Sequence, residues 1–133
     1  DEAKESIFGY LIANDVTVEN INNWDHHLAR SKSIDTFCVL GPYIDTDFKP
    51  ENQRIQGLHN DILLRDGILS DRINKEPDLL VSLSQWITLN PGDIIITGSP
   101  TRVREREYFK DGDTFECRID GLGSIKNKFS FKE

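Results

Sequence analysis

Three stretches of the chain place polar side chains where apolar ones or glycines dominate, and these are the places where chemistry could be done. In GYLIANDV, residues 9–16, Asn14 and Asp15 interrupt an apolar run. A carboxylate there is costly to bury unless it is hydrogen-bonded, ion-paired or bound to a metal, and the simpler alternative is a turn at a strand end. In RSKSIDTFCVLGP, residues 30–42, Lys32 is a cation among small hydroxylic and acidic residues, ahead of an apolar strand that Gly41 and Pro42 stop. By type alone it is either a solvated surface lysine or a charge drawn into a site. In PGDIIITGSP, residues 91–100, an apolar run ends in Gly98 and Ser99. A strand that runs into glycine signals a tight turn or a close approach.

Other reactive types carry less. His26 and His27 are adjacent and His59 stands alone, so no spacing presents two imidazoles on one face to a metal. Cys38 and Cys117 lack CxxC spacing and sit in strand-like contexts. They read as buried thiols of a reducing compartment, which places the protein in the cytoplasm.

The elements that must position these residues follow from periodicity. Residues 2–6 read as the end of a helix, and residues 7–18 and 36–45 as strands. Between them, residues 19–29 read as a polar loop with one helical turn. Residues 53–59 and 62–65 alternate around Asn60-Asp61 as a hairpin, with a further turn at Arg65-Asp66-Gly67. Pro77 suits a first helical turn, and Leu79, Leu80, Leu83, Trp86 and Ile87 recur on one face, predicting a packing helix over 77–89. Residues 94–97 are wholly apolar and predict a strand buried on both faces. Residues 101–110 are a charged surface loop. Residues 113–120 and 124–131 form a hairpin around Gly121-Leu122-Gly123. Many short strands and few helices make a β-rich α+β domain spanning residues 1–133.

Composition narrows the function. At 133 residues and 15.2 kDa the chain holds one domain. Hydrophobic residues at 37% and charged residues at 29% suit a globular chain rather than a disordered one. A net charge of −7 argues against a nucleic-acid partner, and no apolar run approaches the roughly 20 residues of a membrane span. The chain begins at Asp1 and contains no methionine, which suggests a piece of a longer or processed protein.

The segments GYLIANDV, SKSIDTFCVLGP, PGDIIITGSP and DGLGSIKN, in that order, resemble those of the fumarylacetoacetate hydrolase superfamily. The resemblance implies a mixed β-sandwich roll, a homodimer, and a Mg²⁺ or Mn²⁺ ion held by three carboxylates that binds a 2-oxo or 2,4-dioxo acid. It implies Asp15 as a metal ligand, and Lys32 as the catalytic cation that stabilises an enolate or oxyanion. Ser99 stands where the family has a threonine and would hydrogen-bond the substrate carboxylate, with Gly98 shaping the turn. The first reaction it implies is hydrolytic C–C cleavage of an acylpyruvate-type compound; isomerisation of a 2-hydroxy-diene dioate is the second alternative and decarboxylation of oxaloacetate the third.

Two departures qualify this. The family's other two metal carboxylates, an ExE pair, and its water-activating lid lie upstream of the first motif, which leaves open a non-catalytic structural or oligomerisation fragment. The family also carries an arginine where this chain has Glu19, and often a glutamine where it has Asn22. A carboxylate at 19 reverses the local charge, so either the distal end of the substrate is not the usual anion or the position no longer contacts it.

Overall fold

The computed structural model describes residues 2–19, 23 and 26–131. Two antiparallel sheets and a few short helices make up the fold. Helix α1 spans Glu2–Glu5, and the first sheet pairs β1, Ala13–Asp15, with β2, Cys38–Leu40. Asp15 stands opposite Cys38 in this ladder. Backbone bonds extend the pairing at both ends, from Tyr10 with Asp45 at 2.9 and 2.8 Å to Val16 N–H on Phe37 O at 3.1 Å. The expected strands over 7–18 and 36–45 are therefore in the right places but regular for only three residues each. Pro42 has no N–H to give the ladder, and Thr36, a β-branched residue at φ +74°, turns the chain sharply just before β2. Gly9 permits the closure: a Cβ there would lie 2.6 Å from Ile44 Cγ2 and 2.7 Å from the Asp45 carbonyl oxygen.

The second sheet has strand order β4-β3-β5-β6, from β3 (Arg54–His59), β4 (Ile62–Ile68), β5 (Thr114–Ile119) and β6 (Gly123–Lys128). Both expected hairpins are present. Asn60 and Asp61 take positive φ of 48° and 65°, the geometry of the two-residue turn that matches strand twist. The turn expected at residues 65–67 is absent and β4 runs on to Ile68. Arg54 on β3 holds the Asp66 carboxylate through bonds of 2.7 and 2.6 Å, which keeps the two strands together there.

The sheets meet through side chains of three separate segments. Asn14, buried on β1, donates from Nδ2 to Asn127 Oδ1 on β6 at 3.1 Å. The Tyr43 hydroxyl donates to the Leu122 carbonyl. The small core collects Ile12, Leu58, Leu64, Leu69, Phe115 and Leu122. Beside it Phe109 stacks on Phe129 at 3.9 Å and meets Phe115 edge-on at 5.5 Å.

Two expectations fail at the surface. The predicted helix over 77–89 is α3, Glu76–Ser84, with Pro77 in its first turn as expected. It ends because the chain tightens, Trp86 N–H bonding the Leu83 carbonyl at 3.0 Å. Leu79, Leu80 and Leu83 are half-buried, but no residue of the helix is buried and Trp86 is 84% exposed. Residues 94–97 form no strand, and Ile94 and Ile96 are exposed, because no neighbouring strand offers them a ladder. The accessible surface totals 9,999 Å², against about 7,100 Å² for a globular monomer of this mass. Phe8, Ile73 and Trp86 lie on that excess. No helix among the described residues is long and apolar enough to cross a membrane.

The cysteines also divide. Cys117 on β5 is half-buried, and burial, reinforced by the Glu116 charge, pushes its thiol up to about 11. Cys38 is exposed rather than buried, because the two-stranded β1–β2 sheet leaves its outer face uncovered. Both are free. At pH 8 only about one Cys117 in a thousand is thiolate, the reactive form. Iodoacetamide should therefore modify Cys38 well before Cys117; peptide mass spectrometry showing equal rates would contradict this placement.

Candidate active site

The helical turn α2, Ala29–Lys32, directs Lys32 toward the end of β1. It is held there by Val18 N–H bonding the Ser31 carbonyl at 3.0 Å. The Lys32 ammonium donates to Asp15 Oδ2 and, at 3.1 Å, to Thr17 Oγ1. Thr17 Oγ1 in turn donates to the Asp15 carbonyl at 3.2 Å. Asp15 and Lys32 are 34% and 37% exposed, so the ion pair contributes roughly 0–1 kcal/mol to stability. Its weight is positional: a carboxylate and an ammonium are presented together on an open surface.

Glu19 lies four residues beyond Asp15 and does not join this pair. Its carboxylate accepts from Arg106 Nη1 and from the Tyr108 hydroxyl. The hydrogen bond to Tyr108, followed by the Glu19 charge, raises the Arg106 guanidinium above its usual range. Glu19 is thus neutralised by an arginine 87 residues away, which no local spacing announces.

Ser99 and Gly98 stand on an exposed segment pinned to the edge of β4. Arg65 Nη1 donates to the Pro100 carbonyl at 2.9 Å, and Asp66 N–H bonds the Thr101 carbonyl at 3.1 Å. Gly98 has φ +98° with open space where a Cβ would be, so glycine serves the turn rather than a close approach. The structure does not bring Ser99 into hydrogen-bonding contact with Asp15 or Lys32. Asn22 lies outside the described residues.

Sequence reasoning passed over His59. It is buried, with Nδ1 at 2.9 Å from Glu107 Oε2 and Nε2 at 2.9 Å from Asp113 Oδ2. An ionised carboxylate can only accept, so both contacts are hydrogen bonds only when both ring nitrogens carry a proton. The imidazole meets Phe109 edge-on at 5.0 Å. Residues 106–109 are therefore anchored alternately, Glu107 and Phe109 on the four-stranded sheet and Arg106 and Tyr108 on Glu19. The Asp113 carboxyl is lowered to about 2, first by Asn60 Nδ2, then by the Lys110 backbone N–H and His59.

Among the described residues no three His, Cys, Asp or Glu side chains gather to hold a metal. Asp15 offers one hard oxygen donor, and a single carboxylate does not fit a divalent cation by itself.

The first, second and last of the four segments are joined in space, and the third lies along β4. A sequence model described as "Fumarylacetoacetate (FAA) hydrolase C-terminal" matches residues 1–130. The chain belongs to the fumarylacetoacetate hydrolase family. It is 32% identical over 135 residues to the oxaloacetate tautomerase YisK of Bacillus subtilis, covering 96% of this chain and 45% of that protein. Its fold superimposes with a TM-score of 0.91 and 34% identity on 5-carboxymethyl-2-hydroxymuconate delta-isomerase from Mycobacterium smegmatis, covering 99% of this chain and 51% of that one. With a TM-score of 0.82 and 30% identity it matches maleylpyruvate hydrolase from Sphingobium sp. SYK-6 in complex with manganese(II) and pyruvate, covering 97% and 46%. The family thus includes hydrolases, isomerases and a tautomerase. The chain spans about half the length of the curated relatives it matches.

The Asp113 carboxyl sits below its unfolded value, so its stabilisation is complete above about pH 4 and disappears as pH falls toward 2. Asp113→Asn should lower the melting temperature at pH 7, and the gap to wild type should narrow as pH falls below about 4 and close toward pH 2. A gap constant across that range would remove the role given to this carboxylate.

Proposed function

We propose that the complete protein is a divalent-metal-dependent enzyme acting on a 2-oxo or 2,4-dioxo acid through an enolate-like intermediate. Its reaction in this reading is C–C hydrolysis of an acylpyruvate-type substrate. The observation that carries this is the placement of Lys32 against Asp15 at the junction of two family segments. Asp15 would supply one oxygen ligand to Mg²⁺ or Mn²⁺, the others coming from outside this chain, and the manganese-bound maleylpyruvate hydrolase supports such an ion. When bound, the cation supplies Lewis-acid polarisation of the 2-oxo group. Lys32, held by Thr17, presents its ammonium to the oxygen that gains charge, and Ser99 offers a hydroxyl to the substrate carboxylate.

A second reading is proton transfer without water, as in isomerisation, tautomerisation or decarboxylation. It is favoured by the isomerase and tautomerase among the relatives. For the complete protein we also infer the sandwich roll of the family, a cytoplasmic location and a homodimer, the last supported by the exposed Phe8, Ile73 and Trp86.

In the full-length protein, Asp15→Ala should weaken Mn²⁺ binding at least about tenfold by calorimetry. Lys32→Ala should keep the binding and lower kcat by about 10²-fold or more. Unchanged Mn²⁺ affinity in Asp15→Ala defeats the ligand assignment, and no binding in wild type either supports a structural role.

A further inference from the structure

His59 plays no part in the chemistry of Asp15 and Lys32, yet it is a buried ring caught between two carboxylates. It ends β3, where its side chain is 8% exposed and it pairs with Ile62 of β4 and Phe115 of β5. Phe109 closes on the ring edge-on at 5.0 Å. Two charged groups meet the imidazole in this apolar setting. Glu107 Oε2, from the segment that follows β4, lies 2.9 Å from Nδ1, and Asp113 Oδ2, from the turn before β5, lies 2.9 Å from Nε2. Asp61, in the adjoining hairpin turn, is engaged with Lys126 at 2.5 Å. A neutral imidazole has one N–H, so neither tautomer donates to both carboxylates. Whichever nitrogen lost its proton would aim a buried lone pair at an anion.

The two carboxylates are not held alike. Asp113 is 16% exposed, and besides His59 it accepts from Asn60 Nδ2 and from the Lys110 backbone N–H, both at 2.8 Å. Asn60 is itself fixed, since its Oδ1 accepts from the Thr114 N–H at 2.8 Å. Asn60 first, then Lys110 and His59, lower the Asp113 carboxyl to about 2, so at neutral pH it is an acceptor only. Glu107 is 56% exposed, and among the described residues His59 is its only hydrogen-bond partner. When the ring gives up one proton, the bond to Asp113 is therefore kept and the bond to Glu107 is lost. Glu107 turns to water, which its exposure already allows, at less cost than moving Asp113.

We propose that His59 is a pH-sensitive latch: as a doubly protonated imidazolium it fastens Glu107 and residues 106–109 to the four-stranded sheet, and on losing its Nδ1 proton it releases them. The latch is closed on the acidic side of the His59 titration and opens as pH rises through it. Its release reaches Glu19, because Arg106 and Tyr108, on either side of Glu107, hold the Glu19 carboxylate. Phe109 stays packed on Phe129 and Phe115, so the loosened stretch is bounded at its far end. The device adjusts the order of one surface segment without unfolding the sheet behind it.

The test follows the full-length protein from about pH 6 to about pH 9.5, which spans the range in which histidines titrate. Nitrogen-15 NMR of labelled histidines reads the protonation of each ring nitrogen, with His59→Gln identifying the signal. Trypsin cleavage after Arg106 reads the freedom of the segment, normalised at each pH to cleavage of a free peptide of residues 101–110. The two should change together: Nδ1 loses its proton first, and cleavage rises about fivefold or more over the same interval. Glu107→Ala should be cleaved fast at both ends of the range, with no rise. Glu107→Gln should be cleaved slowly throughout, because its amide donates to a bare Nδ1 as readily as it accepts from a protonated one. A ring already neutral at about pH 6, or doubly protonated up to about pH 9.5, overturns the latch. So does a wild-type cleavage profile that is flat or that Glu107→Ala shares. Loss of the Nε2 proton before the Nδ1 proton overturns the assignment of the release to Glu107.

Discussion

The pairing of β1 with β2 is the constraint on which the rest of the site depends. It is short and exposed on one side, and contributes little burial. Yet it alone sets Asp15 opposite Cys38 and brings α2 within reach of the end of β1. A slip of one residue would turn Asp15 to the opposite face of the ladder and send Asn14 outward, since successive side chains alternate. Asn14 resists that slip, because its amide is buried on Asn127 of β6 and losing a buried partner costs about 1–3 kcal/mol. The bond that fixes the register of one sheet is thus made to the other sheet. Tyr43 repeats the arrangement from β2's side through the Leu122 carbonyl. The first, second and last sequence segments are bound together by these contacts, which gives a physical reason for their joint occurrence.

A second clamp works at longer range. Residues 106–109 alternate between two attachments: His59 and the phenylalanine cluster on one side, Glu19 on the other. His59 is well placed for this because it closes β3 beside the turn whose Asn60 also holds Asp113. Loosening the imidazole would free Glu107, and with it the neighbours that reach Glu19. Stability in the four-stranded sheet and order near the candidate site are therefore coupled through one buried ring.

Much of the fold was legible in the sequence where a signal was local. Asn60-Asp61 and Gly121-Leu122-Gly123 mark hairpins because positive φ selects few residue types. Pro77 marks a helix start for a similar reason. Where burial had to be guessed, local pattern misled: Ile94 and Ile96 are apolar enough for a strand, yet nothing among the described residues buries them. Trp86 continues the apolar stripe of α3 but projects beyond its last turn. At the site, Asp15 and Lys32 were legible because each sits inside a recognisable segment. Arg106, Tyr108 and His59 were not, because their partners lie 48 to 89 residues away, and Thr17 was not, because Lys32 reaches it from a separate element.

Glu19 shows what such distance does to an argument from charge. In sequence it replaces a cation by an anion and reverses the field next to Asp15. In space its charge is matched by Arg106 with help from Tyr108, and the pair is close to neutral. Of the two alternatives raised by that substitution, a changed substrate or a displaced contact, the geometry favours the second. The position serves as a support for a cation carried by another segment.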